Sequence, residues 1–419
     1  MVRALGFDWR LRDRQKLLSV EDYRRAARRK LPKMVWTYVE GGAEDLNAVH
    51  GNRDAFRDWS FIPHVLSGVE APKLDTTVAG VPLSMPVLLG PTGISGLSRW
   101  DGDLAAARAA ATAGSRYVIS TAASWSIEEI TRASDAGHFF QLYPKESQIA
   151  ARLMTRAWNA GIRVLVLTVD SPVKGNREGE RRTGMDVPPR ITPLRGIDVA
   201  RHPRWAADLF AHRRIAGRNI TERSDFSAAI ESLELQEREF MQACLDWDDM
   251  QWIRDKWNGK MLIKGILRQE DATEAVQRGA DGIIVSNHGG RQLDYALPTL
   301  AALPGVVDAV GDRAEVLIDG GIRRGSDIAK ALALGARAVL IARPYLFGLA
   351  VNGETGVSHI LELLRSELKT IMILLGARSV TELDRSYVVR RLPETRDALR
   401  VMHDADVIEQ IASRGTGIV

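Results

Sequence analysis

Short apolar runs alternate with amphipathic stretches from residue 86 onward. The runs fall at residues 87–89, 117–119, 139–142, 164–167, 261–263, 282–285, 316–318 and 338–341, rich in Val, Ile, Leu and Phe and bounded by glycine or polar residues. Their length and composition read as buried strands. Between them, at 103–113, 127–132, 147–159, 248–256, 270–278 and 326–334, the pattern becomes that of helices with one apolar face. Repeated strand-then-helix units predict an α/β chain with a parallel sheet. Eight units in about 250 residues, once one long insertion is set aside, is the number that closes a (β/α)8 TIM barrel. A doubly wound open sheet shares this periodicity, so the pattern alone does not separate the two.

The chain reads as one domain, 1–419, with residues 1–85 as a helical extension ahead of the barrel. Within it, residues 20–38 read as a single helix, with Tyr23, Ala27, Leu31, Val35 and Tyr38 at three- or four-residue steps and Gly41-Gly42 as its stop. The insertion, residues 172–246, follows the fourth strand and is far longer than an ordinary connection, which marks a lid or a binding surface. Residues 190–223 hold eight arginines against the acids Asp198, Asp208 and Glu222, interleaved with Trp205, Leu209 and Phe210. That segment reads as a solvated lid, and it also fits a basic surface with apolar anchors lying on a membrane.

Composition narrows the setting. Apolar residues at 45% and charged residues at 26% describe an ordinary soluble globular chain with ample core. One cysteine, Cys244, rules out an internal disulfide framework and points to a reducing cytoplasm. The opening MVRALGFDWRLRDRQ has no apolar h-region, so no secretory signal is expected. No run reaches about 18 apolar residues; the longest candidate, 336–351, is broken by Arg337, Arg343 and Pro344. The expected location is therefore cytoplasmic, or peripheral on the inner membrane face. A net charge of +4 favours anionic partners mildly. No zinc-finger spacing or RNA-binding aromatic motif occurs, so neither metal nor nucleic acid is expected.

The chemistry concentrates at the strand ends. Strand one is followed by Pro91-Thr92-Gly93 and strand two by Ser120-Thr121. Strand three ends in Gln141-Leu142-Tyr143, four in Thr168-Val169-Asp170, and five in Lys264-Gly265. Six runs into Ser286-Asn287-His288-Gly289-Gly290-Arg291-Gln292, seven into Asp319-Gly320-Gly321-Ile322-Arg323, and eight into Ala342-Arg343. In a barrel these ends form one ring around the C-terminal mouth, where such folds carry their sites. Gly320, Gly321, Ala342 and Arg343 offer backbone N–H groups and guanidinium for a phosphate at the end of strands seven and eight. Tight turns also need glycine, but both segments together at this position favour phosphate. His288 can take a proton near neutral pH, with Asp319 on the adjacent strand to orient it, and Arg291 offers a planar fork for a carboxylate.

SNHGGRQLD at 286–294 resembles the active-site signature of the FMN-dependent 2-hydroxy-acid dehydrogenases and oxidases, whose members include mandelate dehydrogenase, lactate dehydrogenase and glycolate oxidase. The likeness runs from about Tyr23 to Gly376 and takes in LPKMVWTYVEGGAED, FFQLY, VLTVD, KGIL and IDGGIRRGSDIAKALALGARAVLIAR. It implies FMN as cofactor and oxidation of an L-(S)-2-hydroxy acid to the 2-keto acid. It implies His288 as the base, paired with Asp319; Arg177 and Arg291 as the carboxylate clamp; Tyr23 and Tyr143 on the substrate's oxygens; and Asp170 behind the tyrosines. Lys264 would sit at the flavin N1/O2 edge as a fixed cation. Ser120, Gln141 and Thr168 would meet the isoalloxazine, with Pro91, Thr92 and Gly93 beside it. Asp319, Gly320, Gly321, Arg323, Ala342 and Arg343 would hold ribityl and phosphate, and Ser286 would lie near the flavin tail. Read without the resemblance, Tyr23 is equally a helix-packing aromatic and Lys264 a surface lysine. The family further implies a homotetramer.

The sequence departs from the family's pattern at two positions, the first of which should still admit FMN and the second of which has no functional account. The family's usual Gly-Arg after strand eight is Ala342-Arg343, which adds a methyl near the phosphate. Pro144 after Tyr143 stiffens that turn. Glycolate oxidases carry tryptophan where this chain has Ala122, so a larger, aryl or long-chain substrate is expected. Gly93, where many oxidases have alanine, points to a dehydrogenase slow with oxygen; the expected acceptor is a quinone or another acceptor, with a same-family oxidase using O2 or a lactate dehydrogenase as the alternative. The rivals are a peptide-tailoring flavoprotein, which Arg291-Gln292 argues against, a flavin-free sugar-phosphate isomerase, and a non-catalytic flavin or metabolite sensor. A nicotinamide enzyme is disfavoured, because no G-x-G-x-x-G leads from a strand into a helix.

Overall fold

The computed structural model describes residues 17–143, 147–185, 192–221 and 246–391 and parts of 227–235. Pro144, Cys244 and positions 190, 191, 222 and 223 of the basic segment lie outside them. Eight parallel strands form the central sheet: Val87–Leu89, Val118–Ile119, Phe139–Leu142, Val164–Thr168, Lys260–Ile266, Gly282–Val285, Glu315–Asp319 and Ala338–Ile341. Each pairs with its neighbour in chain order, and the last pairs back onto the first. A parallel bridge between Leu89 and Tyr117 joins the remaining edges, so the sheet closes as a (β/α)8 barrel.

Strand alternation explains the two layers of core. Leu88, Phe139, Val166, Leu262, Ile284, Leu317 and Leu340 point inward and are buried together. Their neighbours, such as Leu89, Ile263, Val285 and Ile318, face the ring of helices. Full burial of such side chains stabilises by about 1.5–3 kcal/mol each. The closed end is plugged by a hairpin, Thr76–Val78 and Val81–Leu83, which adds Val78 and Leu83 to the interior layer. Ala79 and Gly80 both take positive φ at its turn, as a two-residue hairpin of right-handed strands requires.

The extension departs from the expected single helix. Val20–Lys30 and Lys33–Glu40 are separate helices, because Pro32 cannot donate a backbone hydrogen bond and caps the second. Asn47–Asp54 follows, but beyond it the extension is not helical: Trp59–Phe61 pairs antiparallel with Val388–Arg390, and the plug hairpin completes it. Two helices not anticipated are Thr299–Val310, after strand six, and Arg343–Leu375, after strand eight, the latter kinked at Asn352 and Gly353. The insertion contains the helices Glu178–Thr183, Pro193–Ala200 and Pro203–His212. Among the described residues no helix is long and apolar enough to cross a membrane.

Candidate active site

A cleft opens at the C-terminal mouth of the barrel, and residues from all eight strand ends line it. They include Pro91, Thr92, Gly93, Ser120, Ala122, Gln141, Tyr143, Thr168, Lys264, His288, Asp319, Gly320, Gly321, Arg323, Ala342 and Arg343. The loop after strand four and the second helix of the extension add Arg177, Glu180 and Tyr38.

His288 stands at one wall with φ +57, a backbone strain usually tolerated only where the surroundings enforce it. Two contacts enforce it here. Its amide donates to Ser286 Oγ at 3.1 Å, and its Nδ1 lies 2.8 Å from Asp170 Oδ1. With Nδ1 engaged, Nε2 is the ring nitrogen left for the cleft. Burial pushes the imidazole below its ordinary value, helped by the Lys264 and Arg177 charges and opposed by Asp170, so the ring is neutral at neutral pH and ready to accept a proton. Burial would raise the Asp170 carboxyl, but His288 and Lys264 hold it below the usual carboxylate range.

This pairing corrects the expectation that Asp319 faces His288. Asp319 Oδ2 lies 3.1 Å from Lys264 Nζ, which also donates to Ser286 Oγ at 2.9 Å. A β-bulge at Gly265 accounts for the arrangement: the register of strand five shifts between Lys264 and Ile266, Gly265 takes φ +114, and a Cβ there would fall 2.6 Å from the Asp170 Cβ. The absent side chain lets the strand-four loop close over strand five. Burial opposes the Lys264 charge, yet Asp319 and Asp170 raise its pKa above the ordinary value, so the cleft floor carries a fixed cation. Ser286 is buried beneath Lys264 and His288 as their common anchor rather than among the cleft-lining residues.

Tyr23 is the second correction. It is 1% exposed, and its hydroxyl is spent on His359 Nδ1 at 2.8 Å, so it packs the first helix onto the long final helix. The tyrosine at the cleft from this extension is Tyr38, whose hydroxyl donates to the Gly93 carbonyl at 3.0 Å. Its signal was present in the pattern, fifteen residues on along the same apolar stripe. Tyr143 also lines the cleft; burial, with the charge of Asp170, pushes its hydroxyl well up, so it remains a donor.

Arg177 and Arg291 both reach the cleft. Gln292 holds the former: its Oε1 accepts from Arg177 Nη2 at 2.9 Å, while its Nε2 donates to the carbonyls of Asp170 and Val173. Gln292 thus latches the strand-four loop onto the strand-six loop. Asn52 does the same for the extension, exchanging two side-chain bonds of 2.7 and 2.9 Å with Asn287. The helix stop at Gly41 was legible, but not its use: its carbonyl accepts from both Arg291 and Arg343.

The other half of the cleft holds polar groups with nothing to bond. Gln141 Nε2, Thr168 Oγ1, Arg323 Nε and Arg343 Nε are buried and without a hydrogen-bond partner among the described residues. Such groups are costly unless a ligand satisfies them. Burial and the neighbouring Arg291 and Arg323 charges bring the Arg343 guanidinium down to about 9, and burial brings Arg323 to about 10. Two desolvated cations beside the N-terminus of the helix Arg343–Leu375 make an anion site. Gly320 and Gly321, at φ +90 and +82, keep the backbone close; a Cβ on Gly321 would meet the Asn52 carbonyl oxygen at 2.0 Å. A phosphate on the arginines and a flat ring with acceptor edges on Gln141 and Thr168 fit this set, as FMN would supply. Ala342 is the N-cap of that helix.

The comparisons agree with this chemistry. The model of the FMN-dependent dehydrogenase family matches residues 27–390. (S)-mandelate dehydrogenase of Pseudomonas putida is 43% identical over 89% of this chain and 94% of its own length. An L-lactate dehydrogenase of Caulobacter vibrioides is 39% identical over 90% of this chain and 98% of its own. Among solved structures, one described as the monotopic membrane protein (S)-mandelate dehydrogenase superposes with a TM-score of 0.86 at 42% identity, covering 90% of this chain and all of that one. This chain belongs to the FMN-dependent dehydrogenase family.

Proposed function

We propose that the protein oxidises an (S)-2-hydroxy acid to the 2-oxo acid. The observation that carries the reading is the division of one cleft into a paired half, with His288, Asp170, Lys264 and the arginines, and a half whose donors await FMN. Bound there, FMN supplies the acceptor for the two electrons that leave the substrate. The protein's own groups do the rest. Arg177 and Arg291 hold the carboxylate, which fixes the α-carbon, and Tyr38 and Tyr143 orient the oxygens. A proton leaves the substrate for His288 Nε2, and Asp170 stabilises the resulting imidazolium. Lys264 keeps positive charge at the cleft floor, where electron density accumulates.

Gly93 and Ala122 leave one wall open, which supports an aryl or larger aliphatic substrate. A Cβ on Gly93 would lie 3.2 Å from the Ala122 Cβ and 3.4 Å from the Tyr38 hydroxyl, so alanine there would tighten this wall. Quinone is the acceptor this reading favours over O2. Leu194, Ile197 and Phe210 on the insertion helices are 79%, 52% and 59% exposed, with Arg195, Arg201, Arg204 and Arg213 among them. Apolar anchors among basic side chains support peripheral contact with an anionic membrane, where a quinone would be reached. The test is anaerobic: the FMN-loaded protein is mixed with S-mandelate, L-lactate and glycolate, and loss of flavin absorbance is followed before reoxidation with quinone or air. Bleaching by mandelate is expected. No bleaching by any of the three would overturn the reading, and turnover on glycolate alone would overturn the larger substrate.

A further inference from the structure

Arg291 is held more tightly than a substrate clamp needs. Its Nη1 donates to the carbonyls of Tyr38 at 2.8 Å and Gly41 at 3.1 Å. Its Nη2 donates to Glu180 Oε1 at 2.7 Å, and its guanidinium carbon sits 5.2 Å from the centre of the Tyr38 ring. Glu180 is itself buried and lines the cleft. It comes from the short helix Glu178–Thr183, whose Gly179 packs against Thr37 of the extension; a Cβ there would sit 3.1 Å from the Thr37 Cγ2. An anion buried in a cleft that must receive an anion is a cost unless it does something for the cations beside it.

We infer that Glu180 is a positioning residue for the carboxylate clamp, acting through Arg291 on the monoanionic 2-hydroxy acid. Two physical effects follow from its place. With the two carbonyls it commits the Nη1 edge and one Nη2 hydrogen, leaving the Nε–H and the second Nη2–H as one bidentate edge for the carboxylate. It also sets a negative charge beside Arg291 in a cleft that Arg177 shares. Arg177 is depressed by burial and by Arg291, and Glu180, ahead of Tyr38 and Tyr143, counters them. Lys174, half-exposed at the rim, is screened by water and does not share that task. Glu180 therefore lets two guanidinium groups stand together before any substrate arrives, so their orientation is settled in advance.

The inference rests on the reading of the cleft as a carboxylate site, and the experiment separates the two. FMN-loaded wild type, Glu180→Gln and Glu180→Asp are titrated with phenylglyoxylate, a 2-oxo acid, and with mandelamide, which has no carboxylate. Glu180→Gln is expected to weaken phenylglyoxylate about tenfold, the scale of one charge-assisted contact, while mandelamide binds as before. Glu180→Asp, which keeps the charge, is expected to recover part of the loss, and KM for S-mandelate to change more than kcat. Phenylglyoxylate affinity within twofold of wild type in Glu180→Gln, or an equal loss for mandelamide, would overturn the role. Wild type that binds no phenylglyoxylate would overturn the carboxylate site and the inference with it. Should Glu180→Gln fail to fold, Glu180→Ala is titrated in its place, and phenylglyoxylate affinity within twofold of wild type there would overturn the role.

Discussion

The two halves of the cleft solve opposite problems with similar residues. Around His288, three cationic or basic groups each have a carboxylate partner: the imidazole has Asp170, Lys264 has Asp319, and Arg291 has Glu180. Around Arg323 and Arg343 the cations face each other, and their inner nitrogens have no acceptor. The difference teaches where each half gets its anion. A transient substrate meets groups already neutralised and oriented, so little reorganisation is needed. A resident cofactor can be asked to complete the protein, and its removal leaves the cost in place.

The comparison breaks most sharply at His288. His288→Asn is expected to lower kcat by about 10²- to 10⁴-fold, the usual worth of a placed base, while FMN stays bound because the other half is untouched. Single-turnover flavin reduction measures it; a loss of FMN instead would mean that the halves are not separable. Next in size is Arg343→Met, expected to weaken FMN about 10- to 100-fold, as for one lost charged hydrogen bond, with a lower Tm for the loaded protein only. Flavin fluorescence on dilution reads this.

The pH dependence sharpens the paired half. His288 must be neutral to act, and burial lowers its pKa, so activity is present above the acid limb and lost as pH falls through a value below about 6.5. Asp170 is the group that raises it; Asp170→Asn should therefore move the limb of kcat/KM further down while also lowering its plateau. A limb moving upward would contradict the pairing. The smallest effect concerns the tyrosines. Tyr38→Phe is expected to raise KM a few-fold, about one hydrogen bond, whereas Tyr23→Phe should leave KM unchanged and cost only stability through His359.

The barrel was legible because each strand is a short buried run bounded by glycine or polar residues, and the eight strand ends carry chemistry that only a closed ring brings together. Strands such as Phe139–Leu142 and Gly282–Val285 coincide with their apolar runs. The helix Thr299–Val310 was not legible: Pro304 and Gly305 interrupt it, and packing of Leu300, Leu303 and Val306 overrides their cost. Residue types at the site were readable, but not every partnership. Asp319 is nearer His288 in strand order, yet the bulge at Gly265 delivers Asp170 to the imidazole from a loop 118 positions away. Tyr23 and Tyr38 share one stripe, and only the break at Pro32 turns the second toward the mouth.

The reciprocal amides of Asn52 and Asn287 have a consequence for how the molecule is born. The first is made early in synthesis and the second 235 residues later, so the opening segment leaves the ribosome long before the surface it belongs to exists. Pairings of such separation form late and slowly. Until then its apolar stripe has no surface to cover it, so the flavin can be received only after the last strands have been made.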